Sequence, residues 1–134
     1  CNLHGVCHRD VKLSNLLFPG TGDISGNVVL ADFGMAARVG PDGLVRGRCG
    51  TPGYVAPEIL HAKVKEGYGI NVDAFSVGVV AYTVLCGYEP FYGRNEENLI
   101  AANKAANFEF YSPEWDEVPN DAKDLVREDC LYDS

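Results

Sequence analysis

His8-Arg9-Asp10-Val11-Lys12-Leu13-Ser14-Asn15 places a carboxylate, an ammonium and a carboxamide close together along the chain. Further on stands Asp32-Phe33-Gly34, a second carboxylate followed by a glycine that lets the backbone turn sharply. In this order and spacing the residues suit phosphoryl transfer. Asp10 supplies a carboxylate to receive a hydroxyl proton, and Lys12 a compact cation for charge on the transferring group. Asn15 offers a carbonyl oxygen to a metal, and Asp32 the harder, charged ligand that Mg²⁺ favours. A third stretch, Gly50-Thr51-Pro52-Gly53-Tyr54-Val55-Ala56-Pro57-Glu58, closes the set. Each stretch alone is a weak match; the three in order are a specific signal.

Composition narrows the classes. The 134 residues, 46 % of them hydrophobic, suit one globular unit with a core of useful size. A net charge of −8 disfavours a nucleic-acid surface, which needs a basic patch. It fits basic peptide partners, and equally an acidic balance that only aids solubility. The five cysteines, Cys1, Cys7, Cys49, Cys86 and Cys130, are widely spaced and odd in number, against a disulfide framework or a zinc site. Reduced thiols in a cytoplasmic setting, or a nuclear one, are the simplest reading. The apolar run from Ala74 to Gly87 is too short to span a bilayer, so it reads as a buried helix and no membrane partner is expected.

Asn15 to Phe18 and Val28 to Ala31 predict a small hairpin, with turn-forming residues between them. Asp32 to Glu58 is rich in Gly, Arg and Pro and is expected to be a mobile loop, with Gly40-Pro41-Asp42-Gly43 as a turn. Asp73 is placed to cap a helix running to about Leu85, which Gly87 ends. Glu96 to Ala105 forms a second helix anchored by Leu99 and Ile100. Pro113-Glu114-Trp115 is a connector, and a third helix starts near Asn120-Asp121 with Ala122, Leu125 and Val126 on one face. The expected fold class is mostly α with a small β-hairpin (α+β).

The three motifs together resemble the C-terminal lobe of a eukaryotic-type Ser/Thr protein kinase. The subgroup most similar is the calcium/calmodulin-dependent kinases. The peptide loop matches theirs, as do Leu85-Cys86-Gly87-Tyr88-Glu89-Pro90-Phe91-Tyr92, with Glu89 where proline is usual, and Phe108 to Asp116. The resemblance implies a truncated protein-kinase-like C-lobe. Residues 1–134 would be a partial kinase domain, from the catalytic loop to the helix near 120–130, with the N-lobe and the C-terminal end absent. The implied activity of the parent is transfer of the ATP γ-phosphate to Ser or Thr of protein substrates. Asp10 and Lys12 are then catalytic; Lys12, Asn15, Leu17 and Asp32 bind the nucleotide, Leu17 as the floor of the adenine pocket. Asn15 and Asp32 hold Mg²⁺. Thr51, Pro52, Gly53 and Tyr54 form the substrate loop, with Thr51 bonding Asp10 and Lys12. Phe33 and His8 join the regulatory spine, and Asp73 holds the catalytic-loop backbone. Implied partners are ATP, a protein or peptide substrate and the N-lobe; calmodulin is a further candidate that this stretch does not itself encode. The rival reading is a catalytically silent kinase-like interaction module.

Departures from the pattern matter too. Arg9 is of the type that binds a phosphate on the activation loop, yet Gly47 stands at the usual phosphorylated position. Ser14 replaces a glutamate that ordinarily pairs with substrate arginine. The buried arginine that normally pairs with Glu58 would fall beyond Ser134. No glycine-rich loop or Val-Ala-x-Lys strand precedes Asp10, so the chain by itself is expected to be inactive.

Overall fold

The computed structural model describes residues 2–20, 27–61 and 66–130. Among the described residues, two short antiparallel ladders frame the stretch from His8 to Asn15. β1 (Val6–Cys7) pairs with β4 (Ala37–Arg38), Val6 opposite Arg38 and Cys7 opposite Ala37. β2 (Leu16–Leu17) pairs with β3 (Val29–Leu30), Leu16 opposite Leu30 and Leu17 opposite Val29. Residues 8–15 therefore run from one ladder to the other, and Asp32 lies on the return path between β3 and β4. A 3-10 turn over Leu13–Asn15 closes the run, with Asn15 N–H donating to Lys12 O at 3.0 Å.

The expected hairpin is present but shorter than predicted; Ala31 N–H extends its pairing by donating to Asn15 O at 2.8 Å. Thr21, Gly22, Asp23, Ser25 and Gly26 of its predicted turn lie outside the described residues. The β1–β4 ladder was invisible in the sequence because two-residue strands carry no readable period.

Among the described residues four α-helices supply the bulk: α1 (Pro57–His61), α2 (Val72–Cys86), α3 (Glu96–Ala105) and α4 (Asn120–Cys130). α2 is apolar on nearly every side and buries Val72, Phe75, Val79, Val80 and Tyr82 in the core. Its start corrects the expected cap. Asn71 occupies the cap position and makes no side-chain cap bond, while Asp73 lies in the first turn with its carboxylate turned to the catalytic loop. Gly87 ends the helix as expected, at φ +91° with its N–H on Thr83 O at 2.8 Å.

Asn95 caps α3 by accepting from Asn98 N–H at 2.8 Å. In α4, Val126 is fully buried, whereas Leu125 is half exposed and not part of the inward face. Counting from Ala122, the step of four wins over the step of three. The connector is an anchor: Trp115 is buried, its ring 4.3 Å from Phe110 and 4.7 Å from Tyr82, and Arg127 lies 4.8 Å over Phe110. Aromatic pairs of this kind add roughly 0.5–1.5 kcal/mol each beyond area burial.

The segment expected to be mobile is tied down along its length. Val39 N–H donates to Gly5 O at 2.9 Å, Gly40 and Leu44 close a turn, and Val45 exchanges two 2.9 Å backbone bonds with Tyr68. Its composition lacks periodicity because its partners are distant in sequence. Among the described residues no helix is long and apolar enough to cross a membrane.

Candidate active site

Asp73 builds the catalytic loop from below. Its Oδ2 accepts from His8 N–H at 2.7 Å and its Oδ1 from Arg9 N–H at 2.8 Å. Two charge-assisted bonds to consecutive amides fix the backbone just before Asp10, and Arg9 is held there at φ +66°, the left-handed region that residues with a Cβ seldom adopt. The buried His8 ring continues the brace. Its Nε2–H donates to Ala31 O at 3.0 Å while Nδ1 accepts from Asp10 N–H at 3.3 Å, a pair of roles that defines one neutral tautomer. Phe33 packs edge-on to His8 with ring centroids 4.8 Å apart, linking the Asp32 turn to the catalytic loop.

Four predicted residues then converge. Thr51 Oγ1–H donates to Asp10 Oδ1 at 2.5 Å. Lys12 Nζ donates to Thr51 Oγ1 at 2.9 Å and lies 3.1 Å from Asp10 Oδ2. Asn15 Nδ2–H donates to Asp10 O at 2.8 Å. That bond orients the buried amide, with its nitrogen to Asp10 and its Oδ1 therefore facing away as a free acceptor. Burial alone would raise the Asp10 pKa. The bonds from Thr51 and Lys12, the Lys12 charge and the Asn15 contact outweigh it, holding the carboxyl below the usual carboxylate range.

Asp32 is exposed at φ +59°, its Oδ1 accepting from Gly34 N–H at 3.1 Å. It follows directly on Ala31, which is bonded to Asn15 O, so the two proposed metal ligands emerge from adjoining backbone. Among the described residues no three His, Cys, Asp or Glu side chains cluster as a metal site by themselves. One carboxylate plus one carboxamide oxygen fits Mg²⁺, which keeps waters and takes phosphate oxygens. Leu17 is not brought into the polar cluster: it stands half exposed on β2 opposite Val29.

The peptide loop is built on one glycine and one asparagine. Gly50 sits at φ +115°, and a Cβ there would come within 3.1 Å of Arg9 O and 3.0 Å of Val55 Cγ2. Tyr54 and Val55 N–H both turn back to Thr51 O, with Pro52 half-buried between. Asn103, fully buried on α3, accepts from Gly53 N–H and donates to Val55 O, both at 2.8 Å. Ser76 Oγ–H on α2 donates to Tyr54 O at 2.8 Å, and Tyr54 OH donates to Glu89 Oε1 at 2.7 Å. Burial and then Glu89 raise the Tyr54 pKa, so the phenol remains a donor.

Arg9 gathers the rest of the segment. Its Nε donates to Met35 O at 2.6 Å, and its Nη1 to Arg46 O at 2.8 Å and Tyr68 OH at 3.2 Å. Tyr68 OH in turn donates to Gly47 O at 2.6 Å. Sequence reasoning missed Asn103, Ser76 and Tyr68. The readable signal was for Asn103, a polar residue four after Leu99 on the apolar face of α3. The Cys7 thiol is fully buried, and burial followed by Asp73 pushes it up to about 12, which makes it inert.

A buried carboxylate held below its usual range is thus bridged to a lysine and a threonine, with an amide oxygen turned outward beside it. The protein kinase domain family matches residues 1–134, and the chain belongs to that family. It is 47 % identical over 124 residues to a calcium/calmodulin-dependent protein kinase type 1 of Macrobrachium nipponense, covering 92 % of this chain and 34 % of that protein. The type 1 kinase of Caenorhabditis elegans is 43 % identical over 123 residues, and the type 1B kinase of Rattus norvegicus 41 % over 123, with 92 % of this chain and 34 % of each relative covered. The chain thus spans about a third of the length of these relatives.

Proposed function

We propose that this chain is the C-terminal-lobe part, over residues 1–134, of a protein kinase that transfers the ATP γ-phosphate to Ser or Thr of protein substrates. The observation that carries it is the hydrogen-bonded set of Asp10, Lys12 and Thr51, with Asn15 Nδ2–H donating to the Asp10 carbonyl and, at 3.4 Å, to its carboxylate. Asp10 orients the substrate hydroxyl and receives its proton. Being held below the usual carboxylate range, it acts by positioning more than by basicity, as a loose transition state requires. Lys12 stabilises charge on the transferring phosphoryl group. Asn15 and Asp32 would hold Mg²⁺, which supplies charge neutralisation between phosphate oxygens. Thr51 fixes the spacing between the peptide loop and Asp10, and Pro52, Gly53 and Tyr54 present the surface on which a peptide lies.

Exposed apolar residues on both sides support the view of a partial domain. Leu17, Phe18, Val28 and Val29 line the hairpin, where Leu17 would form the floor of an adenine pocket shared with an N-lobe. Val77 and Val84 stand exposed on α2, a helix whose all-round apolarity suits full burial. Free thiols at Cys7, Cys49 and Cys86 support a reducing, cytoplasmic or nuclear setting. The relatives' names carry the proposal that calcium and calmodulin regulate the full-length protein.

The test is transfer of labelled γ-phosphate from Mg-ATP to a Ser/Thr peptide library by the full-length protein, with and without calcium–calmodulin. Turnover lost in Asp10→Asn supports the reading. A full-length protein that binds partners but phosphorylates nothing would instead establish the silent interaction module.

A further inference from the structure

We propose that Glu89 is a specificity-determining residue of the peptide site, taking the cationic side chain of a substrate Arg or Lys close in sequence to the phosphorylated hydroxyl. The proposal rests on the kinase reading above and names the chemistry of the substrate that reading leaves open.

Glu89 lies in the loop after α2, where its carboxylate is fixed rather than free. Tyr54 OH donates to Oε1 at 2.7 Å, and that phenol is kept in its donating form by burial. The other oxygen, Oε2, sits 4.0 Å from the place a Cβ would take on Gly53. It therefore stands beside the peptide loop at a residue without a side chain, next to Leu99, whose Cδ1 lies 3.6 Å from the same place. Glu89 is exposed, and among the described residues no cation pairs with it.

Position along the loop links this charge to the chemistry. Thr51 touches Asp10, and Gly53 is two residues on, at most about 7 Å of chain. A peptide holding its hydroxyl at Asp10 thus carries neighbouring residues past Glu89. An exposed carboxylate free to rotate adds little to such a contact. One oxygen already bonded removes much of that rotational cost, so the second meets a guanidinium or ammonium in a set orientation. Ser14 carries no charge, and Glu89, from the loop after α2, sets its carboxylate beside Gly53 of the peptide loop.

The experiment compares kcat/KM of the full-length protein on paired peptides, identical but for Arg or Ala, the Arg placed in turn at each position around the acceptor serine. The wild type should prefer Arg at one or two positions by about tenfold. Glu89→Gln, which keeps an acceptor for Tyr54, should collapse that ratio, mainly through KM. Glu89→Arg should shift preference to a Glu-bearing peptide at the same position. Tyr54→Phe, which frees the carboxylate, should weaken the ratio without reversing it. An Arg preference that survives in Glu89→Gln overturns the proposal and leaves the kinase reading intact. An equal loss on both peptides of a pair also overturns it, because Glu89 would then only support the loop. No transfer to any peptide by the wild type sinks the kinase reading and this proposal together.

Discussion

Thr51 and Asp10, 41 positions apart in sequence, share a 2.5 Å hydrogen bond from hydroxyl to carboxylate. Through it the loop that would bind a peptide and the loop that would move the proton become one rigid assembly, closed by Lys12 on both partners. The functional consequence is spacing. In the proposed kinase, a peptide backbone lying on Pro52 to Tyr54 would then keep a set distance from Asp10, as in-line transfer requires.

Asp10→Asn in the full-length protein keeps size and one acceptor but removes the proton acceptor, so kcat should fall about 10²-fold or more. Asp32→Asn should act differently, raising the Mg²⁺ concentration needed for half-maximal rate. Steady-state kinetics across a Mg²⁺ series separates the two. Wild-type rates in both variants would contradict the assignment of these residues.

The pH behaviour of Asp10 follows from its lowered pKa. Its unfolded value is near 3.9, and the folded value lies below that. Stabilisation from this carboxylate is therefore fully present above about pH 4 and is lost as pH falls through the folded pKa. Thr51→Val removes the shortest bond to it, so the Asp10 midpoint should rise toward the ordinary value. Carboxyl ¹³C NMR reads the midpoint directly, and acid unfolding followed by Trp115 fluorescence should begin at higher pH in the variant. An unchanged midpoint would mean that Lys12 and Asn15 set the shift without Thr51.

Much of this was legible in the sequence for a physical reason: the chemistry lies on short contiguous stretches whose residue types are dictated by charge. Asp10, Lys12, Asn15 and Thr51 were expected to act together, and the structure brings these four into hydrogen-bond contact. Helices α2 and α3 were legible from an apolar run closed by Gly87 and from a capped polar–apolar pattern. What stayed hidden depends on distant pairing. The Val6–Arg38 ladder, the Val45–Tyr68 exchange and the Asn103 clasp on Gly53 join segments whose own sequences do not announce a partner. Asp73 was legible in one of its two readings: the amides of His8 and Arg9 bind its carboxylate as the resemblance implied, while the cap position falls to Asn71.

Asn103→Leu tests that hidden clasp. The substitution is close in volume but leaves Gly53 N–H and Val55 C=O without partners in a buried place, about 1–3 kcal/mol for each group. We expect a Tm lowered by several degrees and a peptide KM raised several-fold, with ATP binding little changed. Calorimetry and peptide-dependent kinetics check it. A variant with wild-type Tm and KM would show that the loop holds its shape through Thr51 and Ser76 alone.

Regulation is the last consequence, and it turns on Arg9 and Gly47. Gly47 has no hydroxyl to phosphorylate, and at φ +98° it resists replacement by a residue that does. Arg9, strained at its own φ, spends its donors on Met35 O, Arg46 O and Tyr68 OH, while Tyr68 holds Gly47 O. Buried Tyr68 thus does with a phenol what a phosphate would do with charge, joining the segment to the catalytic loop. Thr51 is no alternative switch: a phosphate there would set negative charge against Asp10 and block the peptide loop, so it would inhibit. Activity of the full-length protein should therefore survive phosphatase treatment. Tyr68→Phe, which loses two hydrogen bonds worth about 0.5–1.5 kcal/mol each, should lower the rate several-fold and make residues 45–48 more open to proteolysis. The expectation fails if dephosphorylation removes most of the activity and mass spectrometry maps the lost phosphate to residues 35–54.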